Sequence, residues 1–159
     1  MQIVVSLADL LAEEIREVGG FIELLREEQK LLTSSGNADA LMPVVGRKSE
    51  LTLRLKSLGD QRERYLAERR FQPGREGMEA CLAAAPSGAA LQAKWRELLA
   101  LAKEARALNE TNGKLINVHW QHNQKALAAL SSAADGAMVY GPDGQQTGGS
   151  AGSRFRGSA

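Results

Sequence analysis

An all-α fold is predicted: an elongated antiparallel helical hairpin or bundle with coiled-coil-like packing, three long helices plus one short helix, and a flexible C-terminal tail. Three observations predict it. Apolar residues recur with 4-3 spacing in each of three long segments, the pattern of a helix stripe turned toward a neighbour. Aromatic residues make up only 4% of the chain and charged residues 25%, and this balance, with abundant Ala, Leu, Glu, Lys and Arg, favours long helices. Clusters at Gly36-Asn37, Gln72-Pro73-Gly74 and Pro86-Ser87-Gly88 separate the segments, because Gly and Pro interrupt helices. One domain is expected from 159 residues, with 1-134 as the helical part and 135-159 as a turn and Gly/Ser-rich tail.

The first helix is expected from about Ile3 to Leu32. Val4, Leu7, Leu11, Ile15, Val18, Ile22, Leu25 and Leu32 fall on one face, with Leu10, Phe21, Leu24 and Leu31 beside it, wide enough to meet two neighbours. Gly19-Gly20 interrupts it at about 1 kcal/mol per Gly relative to Ala, which makes a local bend plausible. The second helix is expected over 39-71, capped by Asn37 or Asp39, so that Pro43 falls near the first turn, where few amide donors are needed. Its seam reads Leu41, Val44, Lys48, Leu51, Leu55, Leu58, Arg62 and Tyr65. Lys48 and Arg62 interrupt an apolar stripe, so their stems should run along its edge and their charges should reach acids on a neighbouring helix. Residues 1-36 carry three Lys/Arg against seven Asp/Glu, and residues 37-75 carry nine against five. That opposition predicts antiparallel packing of the first two helices. A short helix is expected over 75-85 and a last one over 89-133, about 68 Å long at 1.5 Å per residue.

Composition and motif spacing exclude most chemistry. A net charge of +1 supplies no global field for nucleic acid, and the cations Arg47, Lys48, Arg54, Lys56, Arg62, Arg64, Arg69 and Arg70 alternate with acids around their helix. No segment approaches the roughly 20 apolar residues of a membrane span. The N-terminus shows no basic region before its short apolar run and no small-residue cleavage site, so a cytoplasmic location is expected. Cys81 reads as a small core residue in an Ala-rich helix. His119 and His122 have i, i+3 spacing but lack a neighbouring Cys, Asp or Glu to complete a tetrahedral site, so no metal or other cofactor is expected. The pairs Glu13-Glu14 and Glu27-Glu28 are expected on an exposed helical face, solvated and unshifted. No phosphate loop or nucleophile turn is present, and an enzyme is not expected.

The seam of the last helix is more informative: Leu91, Trp95, Leu98, Ala102, Ala105, Asn109, Asn112, Ile116, His119, Asn123, Ala126 and Leu130. It begins apolar and turns polar. An unpaired buried amide costs about 1 to 3 kcal/mol, so these polar residues must pair, stay wet or meet a partner. On physical grounds alone, two readings stand level: a partner-binding surface, or a register device inside a bundle or homodimer, as buried Asn provides in coiled coils.

The stretch Asn109-Glu110-Thr111-Asn112-Gly113-Lys114-Leu115-Ile116, then Asn123, Leu127, Leu130 and Tyr140-Gly141-Pro142-Asp143-Gly144-Gln145, resembles the C-terminal half of the FlgN flagellar type III export chaperones. Leu24-Leu25 with Glu27-Glu28, Ala38-Asp39-Ala40-Leu41, and Lys48 ahead of Leu51, Leu55, Leu58 and Arg62 is similar to the family's first helical pair. The likeness covers about residues 3-146. It implies a cytoplasmic chaperone that holds hook-associated junction proteins by their C-terminal helical region, prevents premature assembly and delivers them to the export gate. Asn109, Asn112, His119 and Asn123 would then stay hydrated until a substrate helix arrives, while Leu115, Ile116, Leu127 and Leu130 supply apolar contact. Tyr140, Gly141 and Gly144 match the segment associated in that family with gate docking; by physics alone, a lone Tyr just past a helix end is more often a staple folding back on the helix. Pro142 departs from the pattern and stiffens the turn. The alternative is a structural or adaptor coiled coil that homodimerises through its last helix; oligomeric state stays open.

Overall fold

In the computed structural model of the chain, residues 5-34, 38-86 and 88-139 are described, with side chains through residue 132. Four helices follow in order: α1 (Leu7–Thr33), α2 (Ala38–Glu68), α3 (Gly74–Ala84) and α4 (Gly88–Val139). No strand occurs among the described residues. The chain divides into two compact units, Met1–Ile116 and Asn117–Ala159.

α1 starts at Leu7, later than the expected Ile3, because Ser6 caps it: the Ser6 hydroxyl accepts the Asp9 amide at 3.1 Å, satisfying one of the orphan donors of a helix start. The expected apolar face is the buried one, with Leu7, Leu11, Val18, Ile22, Leu25 and Leu32 buried along it and Leu10 and Leu24 beside them; Val4 lies outside the described residues. Gly19 and Gly20 lie within the helix, and a Cβ at either would meet nothing within 4 Å.

α2 packs against α1. All eight residues of its predicted seam are buried or half-buried, whereas Met42, Val45 and Leu53 are exposed. Pro43 sits inside the helix, further from its start than expected, because α2 begins at Ala38. Ion pairs fix the direction. Glu14 meets Arg62, Glu17 meets Arg54, and the adjacent Glu27 and Glu28 meet the adjacent Arg47 and Lys48, so from one end of the pair to the other numbers rise on α1 while they fall on α2. The helices are antiparallel, as the charge opposition required.

α2 ends at Glu68, short of the expected 71, on a Schellman motif. The Phe71 amide donates to the Leu66 carbonyl and the Arg70 amide to the Ala67 carbonyl, each at 3.0 Å, which satisfies the last carbonyls of the helix. Arg70 must adopt φ 65 to make this turn, a left-handed conformation that suits Gly better than a residue with a Cβ. Arg70→Gly is therefore expected to raise stability by about 1 kcal/mol in urea unfolding, and a destabilised variant would show that the Arg70 side chain contributes more than the strain removes. The buried Leu66 and half-buried Phe71 join the core cluster at this corner.

α3 adds Met78, Cys81 and Leu82 to that core, and α4 adds Trp95, Leu98 and Ala105. Arg62, paired with Glu14, lies over the Trp95 ring at 5.3 Å, while Asn112 reaches Glu28. Trp95 is thus level with the early part of α1 and Asn112 with the late part, and within the first unit α4 runs parallel to α1. The antiparallel α2 has already brought the chain back to the starting end of α1, from which α4 runs in the direction of α1.

Candidate partner-binding surface

Inside the first unit, α4 does not bury the strict 4-3 stripe read from its sequence. Trp95, Leu98, Ala105 and Asn112 are buried and Leu91 half-buried as expected, but Ala102 and Asn109 are exposed, with Leu101 and Leu108 half-buried instead. A straight helix of 3.6 residues per turn drifts about 20° per heptad from a 3.5-residue repeat. The drift turns the larger leucines inward and leaves the small Ala102 and polar Asn109 outside.

Asn112 requires a correction. It is fully buried, and its Nδ2 donates to the Leu25 carbonyl and to Glu28 Oε2, both at 2.8 Å. Glu28 is 1% exposed and also accepts from Lys48 Nζ at 3.1 Å. One carboxylate therefore joins α2, α1 and α4 through charge-assisted bonds in a low-dielectric site. The Asn112 amide is consumed inside the protein and does not wait hydrated for a partner; of the two readings of the polar seam, this position follows the register device. Its Oδ1 is buried without a donor among the described residues, so the fixed register is bought at a polar group left unmatched.

A second correction concerns the carboxylate pairs. Glu13 is half-exposed and Glu27 exposed, but Glu14 and Glu28 are buried, as is Glu17. Adjacent residues lie about 100° apart on a helix, so one member of each pair turns outward and the other inward. Glu14 and Glu28 are two heptads apart, as are their partners Arg62 and Lys48. Phe21 and Leu55, midway between them in sequence, are half-buried against the core. Two ionic layers thus bracket an apolar one, and only one slip of the hairpin matches both pairs.

Burial pushes the Glu14 carboxyl above its ordinary value of 4.5, and the attraction and hydrogen bond of Arg62, which act the other way, do not outweigh it. For an acid with a raised folded pKa, the stabilising contribution is complete below the unfolded value and is lost as pH rises through the folded one. Glu14→Gln should therefore gain stability relative to the native chain as pH rises above 4.5. Paired urea titrations between pH 4 and 7 check this; parallel curves would refute it. Burial likewise raises the Cys81 thiol, which matches its place in the core and a thiol held in its unreactive form.

From Ile116 to Ser132 every side chain is exposed. Ile116 is 42% exposed, Trp120 61%, Leu127 64% and Leu130 66%, a concentration of large apolar surface that marks interaction sites. In the second unit Trp120, Asn123, Leu127 and Leu130 fall within an arc of about 80°, given 100° per residue, with His119 at its edge and Val118 on the opposite side. Trp120 was missed by the sequence reading, which followed His119 and Ala126; the alternate 4-3 path through Trp120, Asn123 and Leu127 carries the larger apolar residues and was available as a signal. Asn109 is exposed and Leu115 half-buried in the first unit. α4 passes through Asp135 and Gly136 to Val139, beyond the expected end at 133, because one interior Gly costs only about 1 kcal/mol in a long helix. Tyr140, Gly141 and Gly144 lie outside the described residues.

Among the described residues no three His, Cys, Asp or Glu side chains gather as metal ligands, and no helix is long and apolar enough to cross a membrane. Of the cations weighed for nucleic acid, Arg47, Lys48, Arg54, Lys56, Arg62 and Arg69 are engaged by carboxylates.

A sequence model described as FlgN protein matches residues 1–148. Two flagella synthesis proteins FlgN, from Yersinia enterocolitica and from its serotype O:8, are each 43% identical over 61 residues, covering 38% of this chain and 41% of the relative. The chain thus spans about two fifths of the length of these curated relatives. A crystal structure assigned to a flagella synthesis protein FlgN of Pseudomonas aeruginosa superposes with a TM-score of 0.65 at 29% identity, covering 74% of this chain and 91% of the other. With the family pattern matched along nearly its full length and the helical fold shared with that structure, the chain belongs to the FlgN family of flagella synthesis proteins.

Proposed function

We propose that this chain is a cytoplasmic export chaperone that binds the C-terminal helical region of flagellar hook-associated junction proteins, prevents their premature assembly and delivers them to the type III export gate. Family membership supports the class of function. The observation that carries the binding role is the exposed face of Trp120, Leu127 and Leu130 around Asn123. An amphipathic substrate helix would cover its apolar residues, while His119 and Asn123 meet the polar groups of that helix. Asn109, Leu115 and Ile116 are candidate contacts in the first unit taken by itself, Asn112 being withdrawn from them, and Tyr140, Gly141 and Gly144 form the proposed gate-docking segment.

Co-purification from a flagellated host, with light scattering on the eluted species, tests this. A stoichiometric complex with a hook-associated protein is expected, lost in Trp120→Ala/Leu127→Ala and retained in Asn112→Leu. Tyr140→Ala should leave that complex intact and reduce export. If a homodimer elutes with nothing bound, and the Trp120 and Leu127 changes dissociate it, the chain is an adaptor coiled coil and the chaperone reading fails.

A further inference from the structure

A cleft of about 300 Å³ opens between α3 and α4, within the first unit, and is separate from the surface proposed above. Leu82, Leu99 and Trp95 supply its apolar lining, and Arg75, Arg96 and Gln92 its polar one. Arg75 Nε holds Glu79 at 2.8 Å, whereas Arg96 makes no ion pair among the described residues. The lining is therefore one cation in excess. Trp95, only 6% exposed, has a buried indole N–H without an acceptor among the described residues. Buried polar groups ordinarily find partners, and this orphan lies on a residue whose side chain lines the cleft, which makes it a local reporter of occupancy. The unpaired Arg96 guanidinium calls for an acceptor on the occupant and favours a carboxylate. The apolar lining demands that the carboxylate be carried beside apolar surface. The volume lies at the lower bound for small-molecule sites, so it suits one or two side chains of a partner better than a whole enclosed ligand.

We propose that the α3–α4 cleft is a docking site for a partner-protein segment that presents an Asp or Glu side chain next to an apolar one. Arg96 binds the carboxylate, and the apolar lining, Trp95 included, takes its neighbour.

The test uses the full-length, nitrogen-15-labelled chain and follows the Trp95 indole N–H resonance, identified as the one that persists in Trp120→Phe. Acetyl-Leu-Glu-Leu-amide is expected to shift it saturably in the millimolar range, with acetyl-Leu-Gln-Leu-amide binding about tenfold more weakly. Arg96→Gln, at an exposed position, should remove the preference for Glu while leaving the unfolding midpoint unchanged. The absence of a saturable shift up to about 20 mM, a loss too weak for a specific site, overturns the proposal, as does equal binding of the two peptides. Binding of 4-methylpentanoate as tightly as the Glu peptide also overturns it, by making the cleft a site for free organic acids.

Discussion

Glu28→Ala is expected to destabilise the first unit by about 3 kcal/mol, because removing one partner of a buried charge pair leaves the other uncompensated. Two donors converge on this carboxylate, Lys48 Nζ from α2 and Asn112 Nδ2 from α4, and the Leu25 carbonyl of α1 accepts a further bond from the same Asn112 amide. Lys48, with a side chain 22% exposed, recovers part of its hydration, which holds the loss at the lower end of the range for such pairs. An exposed pair such as Lys56 with Asp60 contributes at most about 1 kcal/mol. Urea unfolding checks the difference, and adding Lys48→Met to Glu28→Ala should restore part of the loss, since it removes the stranded cation. A Glu28→Ala variant within 1 kcal/mol of the native chain would show that the three-helix junction contributes no more than a surface pair.

Gly77→Ala should be comparably damaging for a steric reason. A Cβ at Gly77 would lie 1.5 Å from the Gln72 carbonyl oxygen and 2.5 Å from its carbon. Both are backbone atoms, so no side chain can swing aside, and either the Gln72-Pro73 linker or α3 must move. Overpacking of this kind costs about 1 to 3 kcal/mol, occasionally more, and displacing α3 also disturbs Met78 and Leu82 in the core. A fall in melting temperature on the order of 10 °C is expected for a unit of this size. Helicity by circular dichroism should persist at low temperature. An unchanged melting temperature would mean that the linker yields freely and does not hold α3 in place.

Much of this was legible beforehand. The seam of α2 could be read residue by residue because its apolar and long basic side chains share one helical face, and the acidic α1 facing the basic α2 followed from composition. The exposed apolar surface of α4 was legible in part: Leu127 and Leu130 were identified, while Trp120 was passed over for a stricter repeat. Asn112 and Glu28 were misplaced because sequence periodicity reports which residues share a face and says nothing about which buried donor lies within reach of which acceptor.

The sequence by itself determined the all-α class, the division into three long helices and one short one, and the antiparallel pairing of the first two, since these follow from local propensity, stripe periodicity and charge balance. Only the tertiary structure decided that α4 drifts off its heptad register, that Glu14 and Glu28 turn inward, and that Asn112 is spent on tying three helices together while the apolar face of Trp120, Leu127 and Leu130 stays open. The physical reason is that hydrogen-bond satisfaction and burial depend on distances between residues remote in the chain, such as the 2.8 Å from Asn112 to Glu28 across 84 positions, which no local pattern encodes.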